Sequence, residues 1–324
     1  MDPLLDLRLP YRDFFTRREA LELGETDRSL STALRAGRLV RLRHGVYAFA
    51  ERLVGLQDEE RHLLLARAAV AQQRGAVALA GPTAALQHGF AVFGHDLQVV
   101  HLARLDGGSA RRETGIVHHR IGAAVSDGIT SRNGLLTVSP EDAVWQVALL
   151  SSLEGGVVTA DSALHQLPAL VGPLARVVGR SPFHPHSRTA RLALRLARRE
   201  AESPGESLTR MACYRHGIPA PTLQHKVHDE VGRLLGVSDL YWEGCRLLGE
   251  FDGRIKYERL RKEGETATDV VTREKTREDG MRSTGRGMSR FIWSEVQPGS
   301  TARRMAKLRQ ELEQSRRLYV RVAS

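Results

Sequence analysis

The segment 236–257, GVSDLYWEGCRLLGEFDGRIKY, constrains the fold more than any other part of the chain. Two runs of leucine, β-branched and aromatic residues flank Gly244-Cys245, which predicts two antiparallel strands joined by a two-residue turn of type II′. Counting back from this turn along both strands places Asp239 directly opposite Glu250, with both side chains on one face of the sheet. Because side chains alternate along a strand, Asp252 shares that face.

Three carboxylates so close together repel one another unless a cation or a proton lies between them. Tyr241 and Leu248 are in phase with the acids, so the face is expected to be partly buried, where unpaired acids are costly. Oxygen-rich carboxylate sites are typical of Mg²⁺ or Mn²⁺. The pattern therefore predicts a metal site at Asp239, Glu250 and Asp252. The alternative is a hairpin that carries acids on its solvent face.

An acid, a second acid one hairpin later and a following lysine resemble the PD-(D/E)XK nuclease superfamily, most closely its branch related to very-short-patch repair endonucleases. The resemblance covers residues 203–296 and implies a restriction-endonuclease-like αβ core that cleaves DNA with Mg²⁺ (or Mn²⁺). It implies four catalytic residues: Glu206, Asp239, Glu250 and Lys256. Asp252 stands where the family usually has its lysine, so Lys256 or Lys275 would supply the ammonium group.

Two segments around the hairpin have both a structural and a functional interpretation. Residues 203–206, Ser-Pro-Gly-Glu, form a capping box with proline at the first helical position. In the nuclease resemblance, Glu206 is also the helix acid that points toward the metal. A polar helix predicted at 272–282 carries Lys275 and Arg277, which either form ion pairs on a solvated face or reach the scissile phosphate.

The first part of the chain predicts a winged helix-turn-helix. Two short helices, each capped by threonine and ended by glycine, precede strands at 39–43 and 46–49. In this motif the second helix enters the major groove and the wing contacts phosphates. The predicted DNA contacts of this part are Arg28, Ser31, Thr32, Arg35, Arg41 and Arg43. As an alternative, two-helix units with a hairpin also serve as dimerisation or protein-docking modules.

Three runs in this part resemble the N-terminal domain of AbiEi-type antitoxins of type IV toxin–antitoxin systems. These runs are FTRREALELG, LSTALRAGRLVRLRHGVYA and DEERHLLLARAAV. In that family the domain binds promoter DNA and represses its own operon. The resemblance implies double-stranded DNA as the ligand and a cognate toxin as a partner, and it leaves a homodimer open.

Composition narrows the class of protein. The chain has 324 residues, of which 41% are hydrophobic and 27% charged, as in soluble globular proteins. It shows no run apolar enough to span a membrane and no signal peptide, so a cytoplasmic location is predicted. A net charge of +10 favours a polyanionic partner. Cys213 and Cys245 are too few for a disulfide framework.

The expected fold class is α+β, with four segments: a winged helix at 1–57, a mixed α/β middle region at 58–172, a basic linker helix at 173–202 and a nuclease-like domain at 203–324.

The basic stretch 188–199 either follows a phosphate backbone or is a solvated linker. The middle region carries four histidines without the spacing of metal ligands, which favours structural roles; they are His95, His101, His118 and His119. The preferred function is Mg²⁺-dependent DNA cleavage in defence or repair. The alternative is a non-catalytic repressor or antitoxin.

Overall fold

The computed structural model describes residues 13–120, 128–180, 184–252 and 267–320. The chain divides into two compact units. Unit 1 comprises Met1–Ser151 and Leu170–Ser187, and unit 2 comprises Ser152–Ala169 and Arg188–Ser324. The chain therefore passes between the units three times. No helix in the described ranges is long and apolar enough to cross a membrane.

Unit 1 begins with the predicted winged helix. Its elements are β1 (Phe15–Thr16), α1 (Arg17–Glu22), α2 (Asp27–Arg35), β2 (Leu39–Arg43) and β3 (Val46–Phe49). The three strands form an antiparallel sheet in the order β1-β3-β2. The apolar faces of both helices and the sheet enclose a small core around Phe15, Leu30 and Tyr47. The order of helix, turn, helix and hairpin is confirmed.

The rest of unit 1 is a six-stranded mixed sheet with helices. The elements in chain order are α3 (Asp58–Ala71), β4 (Val77–Leu79), α4 (Gly81–Gln87), β5 (Val100–Arg104), β6 (Arg111–Glu113), β7 (Ile116–Arg120), β8 (Ile129–Arg132), β9 (Leu135–Val138), α5 (Pro140–Leu150), then α6 (Leu153–Gln166), which belongs to unit 2, and α7 (Val171–Arg180). The strand order is β6-β7-β5-β4-β9-β8. The edge strands β6 and β8 escape sequence-based prediction because they are short and largely exposed, so they show no apolar alternation.

Unit 2 adds a four-stranded sheet between helices. The elements after α7 are α8 (Ser187–Leu196), α9 (Pro204–Arg215), β10 (Thr222–His228), β11 (Leu234–Trp242), β12 (Leu247–Asp252), α10 (Ala267–Ser283), β13 (Gly287–Ile292), α11 (Trp293–Val296) and α12 (Thr301–Tyr319). Strands β10, β11 and β12 are antiparallel neighbours, and β13 runs parallel to β12. The stretch predicted as one linker helix contains two helices, α7 and α8.

The central hairpin has the predicted register. The residues opposite one another are Leu240 and Gly249, Tyr241 and Leu248, and Trp242 and Leu247. The predicted turn is wrong: the loop has a 3-10 turn at Glu243–Cys245 followed by Arg246 in the left-handed conformation, with φ of 50°. The predicted register is nevertheless correct, because the observed loop is longer than the predicted two-residue turn but has the same centre. The same residues of the two strands therefore lie opposite one another.

Candidate nucleic-acid interface and the acid cluster of unit 2

Helix α2 presents a polar, basic face. Thr26 caps its first turn by accepting a hydrogen bond from Ser29 N at 3.1 Å, and Ser29 Oγ accepts from Thr26 N at 3.0 Å. Leu30 and Ala33 are buried against the sheet. The four predicted base-contacting residues, Arg28, Ser31, Thr32 and Arg35, are all exposed. At about 100° per residue they fall within about 100° of arc, so they form one continuous surface.

Arginines on this surface keep their charge available. Among the described residues, neither Arg28 nor Arg35 forms an ion pair with an acid. By contrast, Arg17 at the start of α1 donates to both carboxylate oxygens of Asp27 at 2.7 and 2.6 Å, which ties the two helices of the motif together. The helix-turn-helix therefore uses one arginine for its own geometry and leaves others for a ligand.

The wing contributes two arginines in different settings. Arg41 is exposed and lies over the ring of Tyr47, with 5.9 Å between guanidinium carbon and ring centroid, within the range of a cation–π contact. Arg43 is half-buried and its Nε donates to Gln72 Oε1 at 3.2 Å. Burial lowers the pKa of Arg43. Gln72 also donates to His44 O at 2.7 Å, so it positions the wing. Sequence reasoning missed Gln72 because it lies at the C-terminal cap of α3, 29 residues from Arg43 along the chain.

In unit 2, strands β11 and β12 separate beyond the Leu240–Gly249 pair. We call residues 237–239 and 250–252 the strand fork. Side chains replace the missing ladder bonds here: Phe251 N donates to Asp239 Oδ2 at 2.8 Å, and Ser238 Oγ lies 3.0 Å from Gly249 O. Asp239 therefore satisfies a backbone donor that the ladder leaves unpaired, which is a structural use of a predicted metal ligand.

The two other acids of the fork have arginine partners. Glu250 is buried, and Arg277 Nη2 lies 3.0 Å from each of its carboxylate oxygens. Arg290 Nη1 donates to Asp252 at 2.8 Å and its other terminal nitrogen bonds to Glu278. Burial opposes the charge on Arg290, but these hydrogen bonds outweigh burial and raise its pKa. Arg277, predicted to contact DNA, is thus paired with an acid of its own chain.

Glu206 is buried at the start of α9, where it caps the helix. Its carboxylate accepts hydrogen bonds from Ser203 Oγ at 2.7 Å, Glu202 N at 3.0 Å and Gln224 Nε2 at 3.1 Å. Its own N–H donates to Ser203 Oγ at 3.3 Å, as the capping interpretation predicts. The neighbouring Gly205 has a packing role, since a Cβ there would overlap the ring of Phe251.

As placed, these acids do not fit a divalent cation. Each already accepts hydrogen bonds from the chain, and in the described ranges no group of three or more His, Cys, Asp or Glu side chains is arranged to hold a metal. Lys256 lies outside the described residues, and Lys275 is exposed on α10. Mg²⁺ at Asp239, Glu250 and Asp252, and catalysis by Glu206 and Lys256, remain predictions.

The basic helix of unit 2 is only partly a free surface. Arg188 and Arg195 are exposed on α8. Beyond the helix, Arg198 N donates to the buried carboxylate of Asp161 at 2.6 Å. Asp161 also accepts from Arg210 Nη2 at 2.7 Å, so this segment is tied into the interior of unit 2.

Histidines in unit 1 form a half-buried cluster on β5 and β7. The rings of His101 and His119 stack at 5.1 Å, with 2.9 Å between Nδ1 and Nε2. His62 Nδ1 lies 2.8 Å from Leu97 O and must donate to it, so its Nε2 accepts from the Thr83 hydroxyl at 2.9 Å. Burial, with the neighbouring His119 adding to it, lowers the pKa of His101 to about 3. These contacts describe neutral rings with structural roles.

Comparison with known proteins bears on the N-terminal end of unit 1. Residues 2–50 match the family model of the AbiEi antitoxin transcriptional regulator. The match covers the winged helix described above, so the AbiEi domain contains α2 and the wing. The match includes two of the runs that resemble AbiEi-type antitoxins, FTRREALELG and LSTALRAGRLVRLRHGVYA; the third, DEERHLLLARAAV, lies beyond residue 50.

Similarity over most of the chain is found in Mycobacterium tuberculosis. Two proteins from two strains, the uncharacterized proteins MT2308 and Rv2248, are each 29% identical to the chain over 287 residues, spanning 87% of it and 96% of the relative. The crystal structure of the RV2827C protein from the same species aligns with 69% of this chain and 86% of its own at 15% identity and a TM-score of 0.39. A TM-score of 0.39 does not establish a common fold.

Proposed function

We propose that this protein is a DNA-binding transcriptional regulator of the AbiEi antitoxin type. One observation carries the proposal: the AbiEi domain presents the exposed side chains of Arg28, Ser31, Thr32 and Arg35 on a single face of α2. Arginine is the side chain that most often reads guanine in the major groove, and serine and threonine hydroxyls contact bases or phosphates.

The geometry supports a division of labour within the domain. Helix α2 would enter the major groove, where Arg28 and Arg35 meet base edges. Arg41 on the wing would contact a phosphate, since its guanidinium is exposed and steadied by Tyr47. Arg43 is held by Gln72 and would support the wing more than it contacts DNA. The ligand would be duplex DNA upstream of the protein's own gene, as in the family.

The test is binding of the full-length protein, in EDTA, to labelled duplex DNA from the region upstream of its own gene. Fluorescence anisotropy measures the affinity at a series of salt concentrations. We expect metal-independent binding that an unrelated duplex competes for poorly, and an affinity that falls steeply with salt because phosphate contacts release counterions. An unchanged anisotropy at low salt would rule the proposal out.

A cognate toxin is part of the same proposal. The AbiEi family implies a partner gene whose product the antitoxin counteracts. Expression of the neighbouring gene alone and together with this one tests the idea: toxicity that this protein relieves supports it, and a harmless neighbour contradicts it. DNA cleavage by unit 2 stays a prediction, because the contacts of its acids favour no metal-dependent reaction.

A further inference from the structure

The strand fork contains a carboxylate that needs a positive partner. Glu250 is only 5% exposed, and a buried carboxylate is strongly unfavourable unless it is both paired and hydrogen-bonded. Asp239 and Asp252 lie on the same two strands, so the local charge is negative before any partner is counted. A positive partner at Glu250 would offset both the burial of this carboxylate and the negative charge around it.

Arg277 of α10 supplies this positive charge from a position fixed by contacts on both strands of the fork. Its Nη2 lies 3.0 Å from both oxygens of Glu250, and its Nη1 donates to Val237 O at 3.1 Å, on the opposite side of the fork. One guanidinium thus bonds to the carboxylate of β12 and to a backbone carbonyl of β11. Arginine suits this double task because its planar group carries several fixed donors.

The approach of Arg277 depends on a glycine in β11. A Cβ at Gly236 would lie 3.2 Å from Arg277 Cγ and 2.9 Å from Met281 Sδ, closer than side chains normally pack. The absence of a side chain at 236 therefore lets the stem of Arg277 cross the strand. Helix α10 is further anchored there by Met281, which packs with Tyr241 and Leu248.

We propose that Arg277 is the resident cation of the strand fork and takes the place of a divalent metal ion. The positive charge at Glu250 is then covalently part of the chain, and unit 2 folds without Mg²⁺ or Mn²⁺ at this position. Of the acids that resemble a nuclease site, Glu250 serves to bind α10 to the sheet, whereas Asp239 and Asp252 bond within the sheet. This conclusion does not depend on DNA binding by unit 1.

The first arm of the experiment starts from the wild-type protein. Thermal unfolding of the full-length wild type is followed by tryptophan fluorescence in EDTA and in millimolar Mn²⁺. We expect the same Tm in both, because a bound ligand would raise it in proportion to its occupancy. A Tm that rises with Mn²⁺, and no longer rises in Glu250→Gln, would identify a metal site and overturn the proposal.

The second arm removes the arginine. Arg277→Gln removes the guanidinium that contacts both oxygens of the buried Glu250, so we expect the Tm of unit 2 to fall by about 6 °C or more. The matched control is Arg282→Gln on the same helix, whose side chain is 54% exposed and pairs with Glu278; its Tm should barely change. Equal Tm values for these two variants would overturn the proposal.

The third arm protects the test against a variant that fails to fold. Arg277→Gln combined with Glu250→Gln removes both charges of this pair, so the double variant should be more stable than Arg277→Gln alone. If Glu250→Gln instead made no difference in the Arg277→Gln background, the two side chains would be uncoupled and Arg277 would not be the charge partner of Glu250.

Discussion

The AbiEi domain and the strand fork use the same residue types in opposite ways. On α2, Arg28 and Arg35 are exposed and form no ion pair with an acid in the described residues. In the fork, Arg277 has 26% of its side chain exposed and is paired with Glu250, which has 6%. Arg28 and Arg35 are therefore available to bind a polyanion, whereas Arg277 is already bound to a carboxylate of its own chain.

This difference shows how a basic protein divides its charge. A net charge of +10 predicts a polyanionic partner for the chain but does not say which arginines meet it. Arginines that lie opposite buried acids stabilise the fold, since each would otherwise leave an unpaired charge in the interior. Arginines without such a neighbour remain hydrated and can exchange counterions for phosphates.

The largest expected effect comes from removing the recognition arginines. Arg28→Gln combined with Arg35→Gln should weaken binding to the preferred duplex by about 30-fold to 10⁴-fold, since each arginine–guanine pair contributes about 1–3 kcal/mol. Stability should stay near wild type because both side chains are exposed. Equilibrium anisotropy measures the loss. Arg188→Gln combined with Arg195→Gln makes the same change in charge on α8, and an equal loss of sequence preference there would contradict the comparison.

A buried arginine of unit 2 should show the reverse behaviour. Arg210→Leu leaves Asp161, which is 1% exposed, without its cation, so we expect unfolding to become easier by about 3–5 kcal/mol. The folded protein should keep its DNA affinity. Urea denaturation measures the change, with Arg199→Leu as the exposed control. Equal unfolding free energies for Arg210→Leu and Arg199→Leu would contradict this expectation. They would show that hydrogen bonds from Ser207 and Arg198 N are enough to stabilise Asp161.

Acid should destabilise unit 1 through His101. The pKa of this ring is lowered to about 3 in the folded chain, against about 6.5 in an unfolded one. Between these values the unfolded chain binds a proton that the folded chain does not, so stability is complete above about pH 6.5 and falls as the pH drops below it.

At about pH 5.5 the difference in the pKa of His101 between the folded and unfolded chain lowers the free energy of unfolding by about 1.4 kcal/mol. His101→Gln should reduce that pH dependence, whereas His44→Gln on the exposed wing should leave it unchanged. Denaturation curves at neutral pH and near pH 5.5 give the measurement. Identical pH slopes for both variants would show that His101 is not the group responsible.

The smallest expected effect belongs to the wing. Arg41→Gln should lower the slope of log affinity against log salt by about one unit and weaken all duplexes alike, as expected for the loss of one phosphate contact. Arg18→Gln, on α1 and paired with Glu22, provides the control. A changed sequence preference in Arg41→Gln would mean that the wing reads bases and that the proposed division of labour within the domain is incorrect.

Local patterns determined much of this fold. Threonine before a helix and glycine after it located α1 and α2, because caps and left-handed residues act over a few residues. Apolar alternation located β11 and β12 and placed Leu240 opposite Gly249. The same local signals failed at β6 and β8, whose exposed positions carry no alternation. They also failed at the turn after Trp242, where Arg246 takes a left-handed conformation that glycine would usually occupy.

Only the tertiary structure decided what the charged residues do. The sequence by itself brought Asp239, Glu250 and Asp252 to one end of a hairpin, and it marked Arg28 and Arg277 alike as DNA contacts. Whether an arginine is available depends on which acids lie within hydrogen-bond distance, and those acids come from distant positions: Arg277 meets an acid 27 residues away, and Arg210 one that is 49 residues away. A charge pattern along the chain contains no information on such partners, because Coulomb attraction acts through space and its strength depends on the burial that only packing creates.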